Sequence, residues 1–154
     1  TGVDGMRALV GTTVGPTRWV RVDQELIDRF SDITGDRFWI HIDPERAATE
    51  GPFGSTVAFG DLTLSVLNGL RQELFEYEDI LMGLNYGWDK VRFPGPVPVN
   101  SRIRMTAEVR SVDDVGVNWL HVVTRLTAYR EGEDKPVCIA DSVTRLQFAA
   151  TAAY

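Results

Sequence analysis

The chain of 154 residues holds only one cysteine and two histidines. A single cysteine excludes an internal disulfide framework and a four-cysteine zinc site. Cys138 stands in the apolar run PVCIA, which reads as a small core residue rather than a reactive thiol. Positive charge is in deficit: 16 Lys and Arg against 22 Asp and Glu leave a net charge of −6. That balance speaks against the basic stripe with which proteins grip nucleic acid, although a local cluster of cations could still hold a small anion. No apolar run approaches the ~20 residues that span a bilayer. No charged segment followed by an apolar stretch opens the chain either. The expectation is a soluble, cytoplasmic protein without nucleic-acid or membrane partners. At this length one domain, 1–154, is expected, with an ordinary 44% hydrophobic and 25% charged composition.

Residues 1–17 are rich in Gly and Thr and read as an N-terminal arm or a short helix. WVRV (19–22) is extended. Asp23 then precedes Leu26, Ile27, Phe30 and Ile33 at helical spacing, and Gly35 supplies a stop, so a helix is expected over 24–34. Asp43, Pro44 and Glu45 have the cap, first-position and first-turn chemistry of a second short helix, 43–50. VAFGDLTLSVLNGLRQELF (57–75) has wide apolar coverage and reads as a buried helix, whose Ser65 and Asn68 need partners or a ligand if buried. From residue 80 the period changes to two. Four strands are expected, near 82–93, 101–113, 117–130 and 136–149, with turns at PGPVPVN, at DDVG (113–116) and at EGEDKP. The class is α+β, a long apolar helix against an antiparallel meander.

Chemistry concentrates in TGDRFWIHID (34–43). Asp43 is accounted for by capping and Gly35 by the helix stop. Three readings remain for Asp36 and His41: turn-and-packing residues, metal ligands, or an acid–base pair. The metal reading is weak, because the chain has two histidines and no HxxxH or CxxC spacing, and the other, His121, lies in the strand VNWLHVVT as a structural residue. On a loop leaving a helix, an imidazole and a carboxylate can both face one pocket and share the deprotonation of a water. Farther on, Gly60 begins the apolar helix, where free backbone N–H groups could stabilise an enolate oxyanion. Ser65 could orient groups there, or simply bond its own i−4 carbonyl.

Together ITGDRFWIHIDPERA and GPFGSTVAFGDLTLSVL resemble the hydratase signature of the MaoC-like dehydratases, which include (R)-specific enoyl-CoA hydratases. NYGWDKVRFPGPVPVNSRIRM and DKPVCIADSVTRL resemble its nodulation protein N-like branch, and the likeness runs from about residue 18 to 148. The resemblance implies a hot-dog fold, a long helix wrapped by an antiparallel sheet, and a homodimer joined edge to edge. It implies that Asp36 and His41 are the catalytic pair, that Gly60 is the helix-start glycine and that Ser65 helps position the site. The implied reaction is reversible hydration of a trans-2-enoyl thioester to an (R)-3-hydroxyacyl thioester, with no cofactor and no metal. The thioester would be of CoA or of an acyl-carrier protein.

One departure stands out. Where the family has His-Gly and a bulky apolar residue, this chain has Phe59-Gly60-Asp61. Phe59 removes a hydrogen-bonding ring, and Asp61 would oppose an enolate if it faced the pocket. Lys90, Arg92, Arg102 and Arg104 are the cations the strands offer for CoA phosphates, each readable equally as part of a solvated face. Two alternatives stay open: a hot-dog acyl-CoA thioesterase using Asp61, and a non-catalytic acyl-thioester-binding homologue.

Overall fold

The computed structural model describes residues 2–149; residue 1 and residues 150–154 of the expected domain lie outside the described residues. The N-terminal segment takes the short-helix form. Helix α1 (Val3–Ala8) sinks Met6 into the core at 1% exposure, and strand β1 (Thr13–Val14) follows. Strand β2 (Val20–Val22) comes from WVRV. Asp23 then accepts the Leu26 N–H at 2.9 Å and caps α2 (Gln24–Thr34). That helix ends at Gly35, whose φ of 76° a glycine adopts without a Cβ clash. A single turn, α3 (Trp39–Ile42), leads into α4 (Pro44–Glu50), capped by Asp43 through the Arg46 N–H at 3.0 Å.

The central helix α5 is shorter than the 57–75 expected: it spans Gly60–Arg71. Residues 57–58 are instead held extended, because Ala58 donates to the Val97 carbonyl and Val57 bridges Pro98. Beyond Arg71, i−3 bonds from Gln72 and Glu73 tighten the chain into turns. Apolar content in these flanks reflects burial, as with Val57 and Phe75, and not helix.

The meander is β3 (Ile80–Arg92), β4 (Ser101–Gly116), β5 (Trp119–Arg130) and β6 (Pro136–Phe148). Its second turn lies at Val117-Asn118, later than the DDVG expected. Asn118 takes φ 60°, so the ladder runs on through Asp113 and Asp114 to Gly116. The six strands form one antiparallel sheet in the order β1-β4-β5-β6-β3, with β2 also paired to β4. Alternation fixes its faces. Ile103, Met105, Ala107 and Val109 of β4 are wholly buried against α5, while Arg102, Arg104, Thr106 and Glu108 lie on the other side. Leu62, Leu67 and Leu70 of α5 complete the core with Leu126, Ala140 and Leu146. Among the described residues strand β3 pairs only with β6, so its second edge carries no partner strand there. Among the described residues no helix is long and apolar enough to cross a membrane.

Candidate active site

His41 is held from three directions. Its Nδ1 lies 2.7 Å from the Val57 carbonyl oxygen. A carbonyl can only accept, so Nδ1 carries the proton, and Nε2 of the neutral ring keeps its lone pair for a reactant. The His41 carbonyl accepts from Gln24 Nε2 at 2.8 Å, and Gln24 Oε1 in turn accepts from Thr56 Oγ1. Val57 N–H returns to the Ile40 carbonyl at 3.2 Å. The α3 turn and the 56–58 segment are thus stitched together, and the stitch sets the ring's tautomer.

Phe59 fills the place beside the imidazole. The two rings stack with centroids 3.9 Å apart at 27°, and Phe30 backs Phe59 at 5.4 Å. The departure from His to Phe therefore supplies an apolar wall to His41. An aromatic face also favours the imidazolium formed when the ring accepts a proton.

Asp36 leaves the end of α2 on anchored backbone. Its carbonyl accepts from Ser31 Oγ and its N–H donates to Thr34 Oγ1 at 3.3 Å. One carboxylate oxygen, Oδ1, accepts the Phe38 N–H at 3.0 Å, and the Phe38 ring meets His41 edge-on at 6.4 Å. Asp36 is exposed, and among the described residues no hydrogen bond or ion pair joins it to His41.

Gly60 opens α5, and its lack of a side chain is used. A Cβ there would come within 2.8 Å of the Phe93 ring. The two share an open cavity of about 350 Å³ with Phe53, Val57, Ala58 and Thr63. Neither Asp36 nor His41 lines it; Val57, whose carbonyl holds His41, is the link. Asp61 is exposed in the first helical turn. Ser65 is exposed too, its Oγ donating to the Asp61 carbonyl at 2.8 Å. Asn68 is the other polar residue of the helix, and its Oδ1 is buried with no hydrogen-bond partner among the described residues.

The four cations do not form one cluster. Lys90 and Arg92 are exposed on β3, whereas Arg102 and Arg104 lie on β4, with β5 and β6 between. Three strand spacings separate the pairs by about 14 Å. Arg102 is 3.1 Å from Glu131, and Arg104 lies over the Trp19 ring at 4.4 Å. The Gln24–Thr56–Val57 support of His41 escaped the sequence reading, since no spacing signals a contact between residues 32 apart.

A helix against a wrapped antiparallel sheet defines a hot-dog protein. The chain belongs to the MaoC-like dehydratase family: the model of the MaoC like domain matches residues 6–132. It is 43% identical over 143 residues to 3-hydroxyacyl-thioester dehydratase Z of Mycobacterium tuberculosis, covering 93% of this chain and 94% of that one. To nodulation protein N of Rhizobium leguminosarum bv. viciae it is 40% identical over 140 residues, covering 90% and 87%. Among solved structures it is similar to a monoamine oxidase regulatory protein from Archaeoglobus, with TM-score 0.77, 25% identity and 92% of each chain covered.

Proposed function

We propose that the protein catalyses the reversible hydration of trans-2-enoyl thioesters to (R)-3-hydroxyacyl thioesters. The observation that carries the reading is the hydrogen bond from His41 Nδ1 to the Val57 carbonyl, which leaves Nε2 as a base. In this reaction Nε2 takes a proton from a water that the Asp36 carboxylate also holds. The water oxygen bonds to C3 as the C2–C3 double bond shifts toward the thioester carbonyl. Backbone N–H at Gly60 donates to the resulting enolate oxygen, aided by the positive end of α5. The proton on Nε2 then passes to C2, and the pair returns to its starting state. The similarity to a 3-hydroxyacyl-thioester dehydratase supports the substrate class.

The same reading includes a homodimer. Asp36 and Phe38, the latter 55% exposed, lie open in a single chain, and a hydration site needs cover from bulk water. The free edge of β3, with Leu81 64% and Tyr86 60% exposed, is the surface that pairs.

The test is hydration of crotonyl-CoA followed by loss of enoyl absorbance. Asp36→Asn and His41→Ala should each lower kcat by about 10²–10⁴-fold, the range for lost acid–base catalysis. Undiminished turnover in both variants overturns the mechanism. Release of free thiol with crotonate, and not a 3-hydroxyacyl thioester, as the product would instead indicate a thioesterase, with Asp61 as its carboxylate.

A further inference from the structure

The flanks of α5 divide sharply. Leu62, Thr63, Leu67 and Leu70 are buried, and Asp61, Ser65 and Gly69 are exposed. Between them runs a half-buried seam of Gly60, Leu64, Asn68 and Arg71. At about 100° per residue these four fall within about 80° of one another around the axis. The seam therefore runs the length of the helix, about 16 Å, from the Gly60 end to Arg71.

At its far end Arg71 enters a second cavity, of about 340 Å³, whose walls include Phe75, Tyr77, Asn85, Thr144 and Leu146. One guanidinium nitrogen, Nη1, donates to Ser142 Oγ at 3.0 Å, and Ser142 is itself fully buried. Among the described residues no carboxylate lies within ion-pair distance of Arg71. Burial pulls the guanidinium below its ordinary pKa and pushes the Tyr77 hydroxyl up. A half-buried guanidinium with donors to spare and no carboxylate beside it among the described residues is stabilised by an anion that joins it. Its planar fork matches a carboxylate in two parallel hydrogen bonds. Apolar Phe75, Ile80 and Leu146 around it suit the methylenes that lead to such a group.

We propose that the Arg71 cavity is a carboxylate subsite for the distal end of the acyl chain, so that the preferred ligands are medium-chain thioesters of dicarboxylic acids. This rests on the reading above only in setting the thioester carbonyl at the Gly60 end. Arg71 then forms the ion pair, and the seam of α5 carries the chain between.

The experiment uses saturated thioesters, which cannot be hydrated. Calorimetric titration compares dodecanoyl-CoA with the CoA monothioester of dodecanedioic acid, and octanoyl-CoA with that of octanedioic acid. At one length or both, the diacid thioester should bind at least tenfold more tightly. Arg71→Met should erase that preference, the loss falling on the diacid thioester, and Arg71→Lys should keep part of it. Equal binding of the two kinds at both lengths overturns the proposal, as does a preference that survives in Arg71→Met. Should Arg71→Met not fold, the comparison on the unaltered protein decides by itself. If the preference holds while no enoyl thioester is hydrated, the hydratase reading falls and the subsite stands.

Discussion

His41 has two ring nitrogens, and the Val57 carbonyl occupies one of them. The stacked Phe59 ring then limits how the imidazole can turn. Replacing Phe59 by Leu keeps the wall apolar but removes the aromatic face. Stability should fall by about 1–2 kcal/mol, because the smaller side chain leaves part of the ring's buried space unfilled. Hydration should slow by about tenfold, because the imidazolium loses a favourable face of about 1–2 kcal/mol. Chemical denaturation and crotonyl-CoA kinetics measured on the same preparation separate the two effects. A Phe59→Leu enzyme with full kcat would show that the stack only packs. Cys138 offers a simpler residue-scale case. Burial raises its thiol from 9.0 to about 12, so the folded state keeps the proton after the unfolded chain has lost it. Its contribution is complete below pH 9 and declines as pH rises toward 12, by up to about 1.4 kcal/mol per pH unit. The urea midpoint should drop across that window in the natural protein, and Cys138→Ala should flatten that part of the slope.

Between elements, the ion pair of Arg125 and Asp141 fastens β5 to β6. The two residues are directly opposed, and the guanidinium grips both carboxylate oxygens at 2.7 and 2.9 Å. Hydrogen bonding from Arg125 holds the Asp141 carboxyl below its usual range, and nearby Lys90 and Arg110 add to the effect. A lowered carboxyl stabilises the fold at neutral pH, and that share is lost as pH falls through the folded pKa. Asp141→Asn should cost about 1–3 kcal/mol at pH 7 by thermal or urea melts, and the variant should lose less on acidification than the natural protein. At the start of α5, Gly60→Ala should leave stability near that of the natural protein. The gain in helix propensity, up to about 1 kcal/mol, offsets the shift forced on the half-exposed Phe93 ring. Activity should nevertheless fall, since the methyl enters the cavity mouth beside Gly60. Such elements were legible where one local rule governs them. Asp23, Gly35 and Asp43 announce their helix ends, and alternation in SRIRMTAEV announces a half-buried strand. The limits of α5 were not legible, because Val57 and Phe75 are apolar for burial in extended and turn segments. The surroundings of His41 were hidden for another reason: Phe59, Gln24 and Thr56 reach it only through tertiary contact.

On the scale of the whole molecule, the proposed homodimer turns on one border of the sheet. Among the described residues strand β3 bonds only to β6, and its 13 residues present a long second edge. Isolated edges of this kind are usually blunted, and the register shifts at Ile80/Met82, Asn85/Gly87 and Trp88/Val91 twist this one in part. Yet Leu81, Met82, Leu84 and Tyr86 stay exposed along it, a larger apolar display than a lone chain favours. Pairing two copies there would bury these side chains and extend the sheet across both. A formal charge of −6 on each chain opposes that association, so added salt should strengthen the dimer by screening. Leu81→Lys combined with Met82→Lys adds cations to the apolar edge without touching the core. Light scattering should find the natural protein at twice the chain mass and the double variant at the chain mass. On the dimeric reading proposed above, hydration should fall with it, though both substitutions lie outside the proposed catalytic pair. A monomeric natural protein with full turnover, or a double variant that stays dimeric, would remove the edge-to-edge assembly.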